Sequence, residues 1–541
     1  MTGMVDVLVV GAGPTGLTLA TELRRHGVSC RIIDRAANRP ADQARALTMW
    51  DGALDVLARQ GTAEAVRSRG IPMTAAKYFS GGKVVAHVPF GPAAANSASP
   101  VIITQPSVES AMIENLRALG VSVHWQTELT GLIDTPDSVE TTLTGPDGVE
   151  TLSARWVVGC DGTHSAVRTL AGIDFQGSTY EQRYTLGDGD ITAPVPPGEA
   201  HYHLHPDGVL VVVPLPDGQV RVFADATQLG AEDTAPSTAD LQKLVDVRAP
   251  YPIKVRALTW STRFLVHMRH AERFRSGRCL LAGDAAHVHS PAGGQGLNTG
   301  IQDAANLGWK LAAVLHGGVD SAILLDSYAA ERVPIAQQVI TAADRQTRLW
   351  TVRSGRGRWA RDLLLSTLSR TGLLEKRLVP ALAQFELDYR ESPIVGSGGG
   401  RRGLGRAVPN VEVTGPDGAV VALRSLLDAP GHTLLVVLGA QPSAPDVRLL
   451  RQIPARIAAY RIAIQVLVLA AGETGLEQVL PEVYHVPPGF ALRAELAGCA
   501  LVLIRPDGYV ADATSSLDVD ALLNGLPGVL SPEESGDLLT R

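Results

Sequence analysis

The stretch Val5–Asp34, VDVLVVGAGPTGLTLATELRRHGVSCRIID, decides the fold. Val5 to Val10 is an apolar, β-branched run interrupted only by Asp6, the pattern of a buried strand. It meets Gly11-Ala12-Gly13-Pro14-Thr15-Gly16, and Leu17 to His26 continues at helical spacing until Gly27 stops it. A second strand, Cys30 to Ile33, ends in Asp34, roughly twenty residues beyond the glycines, the spacing of an acid that takes a ribose hydroxyl pair. Gly11 permits the tight turn, Gly13 lets backbone approach a pyrophosphate, and Gly16 lets the helix pack on the strand. The unit therefore specifies an adenine-dinucleotide site; a merely structural turn would leave Asp34 unexplained.

A second informative stretch is Gly277–Leu315, GRCLLAGDAAHVHSPAGGQGLNTGIQDAANLGWKLAAVL. Cys279 to Ala282 has strand length and stops at Gly283-Asp284, where a carboxylate is placed to hold a polyol hydroxyl. Pro291, Gly293, Gly294 and Gly296 then lead into an amphipathic helix expected from about Asn298. A glycine-rich loop feeding a helix presents unpaired N–H groups and a positive dipole end to an anion, and a flavin ring is anionic at N1/O2 when reduced. Trp156 to Val158 likewise runs into Gly159-Cys160-Asp161-Gly162. Separate strands ending in an aspartate beside a glycine are expected where distant segments converge on one extended ligand; the alternative for Asp161 is an ordinary turn residue.

Arg35 and Arg45 follow Asp34, the latter opening a polar helix start expected to run through Leu57. An arginine there either bridges a pyrophosphate with two hydrogen bonds or belongs to a solvated basic face. Gln105 lies where a strand enters a helix at Pro106-Ser107, and its amide either points at the cofactor or caps that helix.

The 541 residues suffice for about three or four domains, and a net charge of −7 argues against nucleic acid as the main partner. Cys30, Cys160, Cys279 and Cys499 lie far apart, with no CxxC and no metal-ligand spacing, so a reduced cytoplasmic setting is expected. No apolar run reaches membrane-spanning length, and the N-terminus enters a buried strand rather than a signal peptide; no membrane partner is expected.

These signals give an α/β fold class: a Rossmann-like dinucleotide-binding domain over 1–182 and 270–395, interrupted by a β-rich substrate domain over 183–269. Within the insertion, Val209–Leu215 and Gln219–Ala224 flank Pro216-Asp217-Gly218 as a hairpin. His201, His203 and His205 alternate there, but no carboxylate or cysteine accompanies them at suitable spacing, so no metal is expected. The segment 396–410, which includes GSGGGRRGLG, follows no strand and reads as a linker. A small α/β domain over 411–541 follows, with Arg505-Pro506-Asp507-Gly508 as a hairpin turn. No Ser/His/Asp or paired-carboxylate constellation stands out, so catalytic side chains are unassigned.

GAGPTG with Asp34, GCDG with Asp161, and AGDAAHVHSPAGGQGLNTGIQDAANLGWKL together closely resemble the FAD-dependent aromatic hydroxylases, the single-component class A flavoprotein monooxygenases. The resemblance covers about the first 340 residues, and the tail from about Val411 is similar to the thioredoxin-like C-terminal domain of the phenol hydroxylase and aromatic polyketide hydroxylase branch. It implies FAD as cofactor, with Gly11, Gly13, Pro14, Thr15 and Gly16 in the dinucleotide loop and Asp34 on the adenosine ribose. It implies Arg45 and Gln105 near the pyrophosphate and ribityl chain, and Asp284 on pyrophosphate or ribityl oxygens. Pro291, Gly294, Gln295, Gly296, Leu297 and Asn298 would line the isoalloxazine, and Asp161 belongs to a motif associated with both FAD and NADPH. Met49-Trp50-Asp51-Gly52 departs from the family, where a basic residue and a threonine are frequent.

The chemistry implied is the cofactor's: reduced flavin and dioxygen give a C4a-hydroperoxide whose distal oxygen an electron-rich phenol ring attacks, with NADPH or NADH as reductant met without a second Rossmann unit. A Baeyer–Villiger or epoxidising oxygenase on the same fold is the near alternative, and a non-catalytic flavin-binding partner the distant one. A homodimer is the candidate assembly. Only Phe223 is aromatic between Val209 and Ala226, so the substrate wall is expected to be aliphatic and roomy. Arg221 and Arg263 read as solvated arginines rather than a carboxylate clamp, which favours a polycyclic phenolic polyketide over a single-ring acid.

Overall fold

Val5–Val10 lies inside a sheet of order Arg275–Ser276, Cys279–Leu281, Gly148–Gly159, Val5–Val10, Cys30–Ile33, Val123–His124. All neighbours from Cys279–Leu281 onward pair in parallel, and an antiparallel extension of Glu128–Asp134 and Val139–Gly145 attaches to Gly148–Gly159. The computed structural model describes residues 4–37, 47–91, 100–229, 234–317, 319–384, 387–396, 403–438, 444–460, 462–470, 483–486 and 500–524. The central strand is buried because helices cover the sheet, as a parallel sheet requires.

Two of those helices, Pro14–Arg25 and Gly296–His316, cross at a distance only glycine permits. A Cβ at Gly300 would stand 2.4 Å from Thr15 Oγ1, and one at Gly308 would stand 2.8 Å from Glu22 Cβ and Cγ. Gly11, at φ +100°, brings the first strand end against its neighbour, where a Cβ would lie 2.4 Å from the Cys160 carbonyl oxygen.

A second sheet stands against the carboxyl end of the first. Its order is His287–Val288, Lys254–Ala271, Phe175–Thr192, Val220–Asp225, Gly208–Pro214, Glu199–His205, Ala75–Ser80, Lys83–Pro89. It thus begins before residue 183 and takes a hairpin from the earlier chain, with Ala75–Ser80 running parallel to Glu199–His205. Such pairing joins segments more than a hundred residues apart, and no local pattern announces it. On the sheet's far face His201 Nδ1 and His203 Nε2 meet the Tyr251 hydroxyl at 2.7 and 3.0 Å, and His201 Nε2 meets Glu199 at 2.9 Å.

The helix expected to begin near Arg45 begins instead at Asp51, because Thr48–Met49 pairs as a strand with Val101–Ile102; Arg45 itself lies outside the described residues. Beyond Ser354 the chain forms two helices, Gly355–Arg370 and Leu373–Ala383, divided at Gly372 with φ +68°.

The C-terminal unit pairs His432–Leu438 in parallel with Ile464–Ala470 around the Ala444–Ile457 helix. Leu501–Ile504 and Val510–Thr514 then add antiparallel on the other side. The Arg505-Pro506-Asp507-Gly508 turn is not a solvated hairpin tip: Arg505 is 2% exposed and inserts into the first unit.

Gly308→Ala tests the helix crossing. Alanine gains about 1 kcal/mol of helix propensity, but overpacking against the base of Glu22 costs more, so a net loss of about 1–2 kcal/mol is expected in urea unfolding.

Candidate functional site

The parallel register aligns four strand ends, with Val10 beside Ile33 and Gly159, and Gly159 beside Leu281. Asp34, Asp161 and Asp284 follow three of them, and all three border one cavity of about 700 Å³. Asp34 accepts the Ala12 N–H at 2.8 Å and the Ala36 N–H at 2.9 Å, which orients its carboxylate across the glycine turn. Asp161 Oδ2 accepts the Ala166 and Val167 N–H groups at 2.6 and 3.3 Å, while Oδ1 is buried and makes no hydrogen bond. Burial pushes the Asp161 carboxyl above its ordinary range. Asp284 is exposed to the cavity rather than buried like its strand.

Three helices begin at this cavity: Pro14–Arg25, Gln105–Ala118 and Gly296–His316. None has a side-chain cap at its N-terminus, so free N–H groups and three positive dipole ends converge where a pyrophosphate or an anionic ring would lie. Gln105 does not cap its helix; its amide donates to Glu109 Oε1 at 2.8 Å and borders the cavity. Arg35 borders it also.

Gly293 and Gly294, at φ +85° and +61°, bend the loop that carries Pro291, Gln295, Gly296 and Leu297 along the cavity. Two expected residues do not border it. Asn298 is fully buried, accepting the Trp50 N–H at 2.7 Å and donating to the carbonyls of Thr48 and Gly294 at 2.9 Å, so it locks the loop to the Thr48–Trp50 segment. Gly16 faces the first strand, where a Cβ would meet the Gly11 carbonyl oxygen at 1.9 Å.

The other end of the cavity overturns the expected aliphatic wall. Tyr78 and Tyr202 stack at 4.8 Å, Trp350 meets Tyr202 at 5.6 Å, and Tyr184 stacks at 5.2 Å on Phe223. Tyr78, Tyr202, Phe223, Phe264 and Trp350 line the space. The hairpin supplies one aromatic, as its composition says; Tyr202 comes from the strand just before it, and Tyr78, Phe264 and Trp350 arrive from more distant strands and a helix. Arg221 is also no solvated arginine: it is 2% exposed, borders the cavity, and pairs with Asp188 through Nε and Nη2 at 2.7 and 2.6 Å. Between the two ends His289 holds its Nδ1 on the Ser290 carbonyl at 2.7 Å, and burial lowers its pKa to about 4, leaving a neutral imidazole.

Beneath the Gly283-Asp284 turn lies Asp303, fully buried on the Gly296–His316 helix. It accepts the Gly283 N–H at 3.1 Å, His287 Nε2 at 2.6 Å and Arg332 Nε at 2.6 Å. None of these partners lies near it in sequence, and the i, i+4 patterns of the helix carry no sign of them.

A polar cradle of three strand-end carboxylates and three helix N-termini, opening into an aromatic chamber, has the donors and shape to take a dinucleotide at one end and a flat organic ring system at the other. The unpartnered Asp161 oxygen and the positive-φ glycine loop fit FAD on the structure's own terms. The family model described as FAD binding domain matches residues 4–343, and the chain belongs to this family of FAD-dependent aromatic hydroxylases. It is an FAD-dependent monooxygenase. Among its relatives is the 6-methylpretetramide 4-monooxygenase of Streptomyces rimosus, 33% identical over 526 residues, 94% of this chain and 90% of that one. The crystal structure of CabE, an aromatic hydroxylase from angucycline biosynthesis, superposes with a TM-score of 0.76 at 27% identity, covering 97% of this chain and 99% of that one. OxyS anhydrotetracycline hydroxylase, also from S. rimosus, gives 0.74 at 27% identity, covering 99% and 98%. No helix among the described residues is long and apolar enough to cross a membrane.

The buried Asp303 cluster sets a pH dependence. Burial raises its pKa, but Arg332 and His287 more than offset this and bring it from the ordinary 3.8 to about 2. A depressed acid stabilises the fold fully above its unfolded value, and that contribution is lost as pH falls through the folded value. About 2 kcal/mol should therefore disappear between about pH 4 and pH 2. Urea unfolding of the wild type and Asp303→Asn across that window should show the steeper fall only in the wild type.

Proposed function

We propose that this chain hydroxylates a polycyclic phenolic substrate of the aromatic polyketide class, with NADPH or NADH as reductant and dioxygen as cosubstrate. The observation that carries the reading is the aromatic chamber joined to the dinucleotide cradle: stacked Tyr78 and Tyr202 with Trp350 present flat faces to a fused ring system. Arg221, the cation on that wall, already shares its charge with Asp188, so a substrate carboxylate gains less there than from a dedicated clamp. The relatives named for tetracycline and angucycline chemistry support the same substrate class.

In this reading Gly11, Gly13, Pro14 and Thr15 cradle the pyrophosphate, Asp34 holds the adenosine ribose and Asp284 the ribityl or pyrophosphate oxygens. Arg35, Arg45 and Gln105 flank that chain. Pro291, Gly294, Gln295, Gly296 and Leu297 face the flavin ring, Gly16 and Asn298 act by packing and by locking the loop, and Asp161 serves the FAD end. Bound FAD supplies the reductive activation of dioxygen. The protein orients the substrate ring against the flavin loop and excludes water, since most of the chamber lining is aromatic or aliphatic. The helix N-terminus at Gln295–Leu297 stabilises negative charge beside the loop. The strand order and parallel-then-antiparallel pairing of the C-terminal unit support a thioredoxin-like fold. Cys30, Cys160 and Cys279 are free thiols.

Substrate-stimulated NADPH oxidation should be strong with tetracyclic or anthraquinone-like phenols and weak with hydroxybenzoates, with one oxygen added to a ring carbon of the product. Tight coupling to a single-ring acid, with no response to polycycles, overturns the substrate class.

Asp284→Ala should fold normally but bind FAD about ten- to a hundredfold more weakly, the worth of one hydrogen bond to a charged group. Undiminished FAD content in that variant would remove the role given to Asp284.

A further inference from the structure

We propose that the C-terminal unit sets the affinity of the FAD site, through a buried relay in which Arg505, Tyr389 and Arg332 are positioning residues for the Gly283-Asp284 turn. The proposal rests on the cofactor reading of that turn.

The relay is continuous. Gly283 has φ +62°, and its N–H and His287 both bond to Asp303 Oδ2, so the direction of the turn depends on how that carboxylate is rotated. Arg332 fixes the rotation by donating from Nε to the other oxygen at 2.6 Å. Arg332 is itself held by the Tyr389 hydroxyl at 2.7 Å. The Tyr389 ring lies 5.1 Å from the Arg505 guanidinium and 4.5 Å from the Tyr509 ring, both of which belong to the C-terminal unit.

A second strand of contacts runs alongside it. Arg505 donates to both oxygens of Glu331, at 2.7 and 2.9 Å, and Glu331 also takes Lys310 Nζ at 2.8 Å, Asn306 Nδ2 at 2.6 Å and Ser392 Oγ at 2.6 Å. Asp507 pairs with Arg505 from within its own turn. Glu331 and Arg332 are neighbours on the Ser321–Trp350 helix, and Tyr328, one turn earlier, donates its hydroxyl to the Leu281 carbonyl at 2.8 Å. One helix thus grips the last strand before Asp284 on one side and the C-terminal turn on the other.

Three carboxylates, Asp303, Glu331 and Asp507, meet three cations, Lys310, Arg332 and Arg505, all within nine-tenths-buried surroundings. Removing Arg505 leaves Glu331 and Asp507 short of a partner in a medium that tolerates no uncompensated charge, so the cluster must rearrange around Arg332. A rearranged Arg332 releases Asp303, and with it the turn that presents Asp284.

The test measures the dissociation constant for FAD by fluorescence titration of FAD into deflavinated full-length chain, at a temperature where circular dichroism shows each variant folded. Tyr389→Phe removes only the hydroxyl that holds Arg332; Arg505→Met removes the charge from the C-terminal unit; Arg505→Lys restores one charge. The first two should each weaken FAD by about tenfold, and the double variant should be no weaker than the worse single, as for two links of one chain. Arg505→Lys should recover part of the loss. If Arg505→Met does not fold, Tyr389→Phe alone decides. Folded variants with unchanged FAD affinity, or fully additive losses, overturn the relay. If Asp284→Ala also leaves FAD affinity unchanged, the cofactor reading of the turn fails instead; if only Asp284→Ala loses affinity, the relay fails and that reading stands.

Discussion

Everything at the cofactor end depends on backbones approaching closer than a side chain allows. Gly11 presses the first strand end against the Cys160 carbonyl, and Gly283 and Gly300 close around Thr15 from two sides. These contacts bring Asp34, Asp161 and Asp284 within one ligand's length and aim the Pro14–Arg25 and Gly296–His316 N-termini into the same space. Steric constraint thereby becomes electrostatic: with no Cβ atoms between them, the helix ends deliver their positive dipoles side by side.

The charges beneath the cleft answer a different demand. Buried ions cost free energy unless paired and hydrogen-bonded, and here Glu331, Asp303 and Arg505 each make several hydrogen bonds while Lys310 pairs with Glu331. Replacing buried ion clusters by apolar residues of the same volume is often neutral or stabilising, whereas removing one partner is strongly destabilising. The cluster here links the strand end carrying Asp284 to the C-terminal unit through Asp303, Arg332, Tyr389 and Arg505.

The cavity has two chemistries because two sheets build it. The first sheet offers parallel strand ends and backbone N–H groups, while the second, largely antiparallel sheet offers a face of alternate side chains. Phe223, Phe264, Tyr202 and Tyr78 point to the chamber, whereas Val222, Ala224, His201 and His203 point away. Period-two alternation thus yields a flat aromatic wall from strands whose composition is mostly aliphatic.

Local sequence determined the nucleotide half of this protein. A strand, a glycine turn, a helix and a strand-end acid lie within thirty consecutive residues of Val5–Asp34, and the Gly283–Asn298 loop is equally local; short-range backbone geometry is written in short-range patterns. Tertiary structure alone decided the rest. The chamber joins Tyr78, Tyr202, Phe264 and Trp350 across nearly three hundred residues, from a strand pairing that only the folded sheet reveals. Arg505-Pro506-Asp507-Gly508 has the residues of a solvated hairpin, and it does form the turn, yet its arginine is buried because Glu331, far back in the chain, waits with a compensating charge. Turn chemistry is a property of four adjacent residues; burial and pairing are properties of whatever the fold brings beside them.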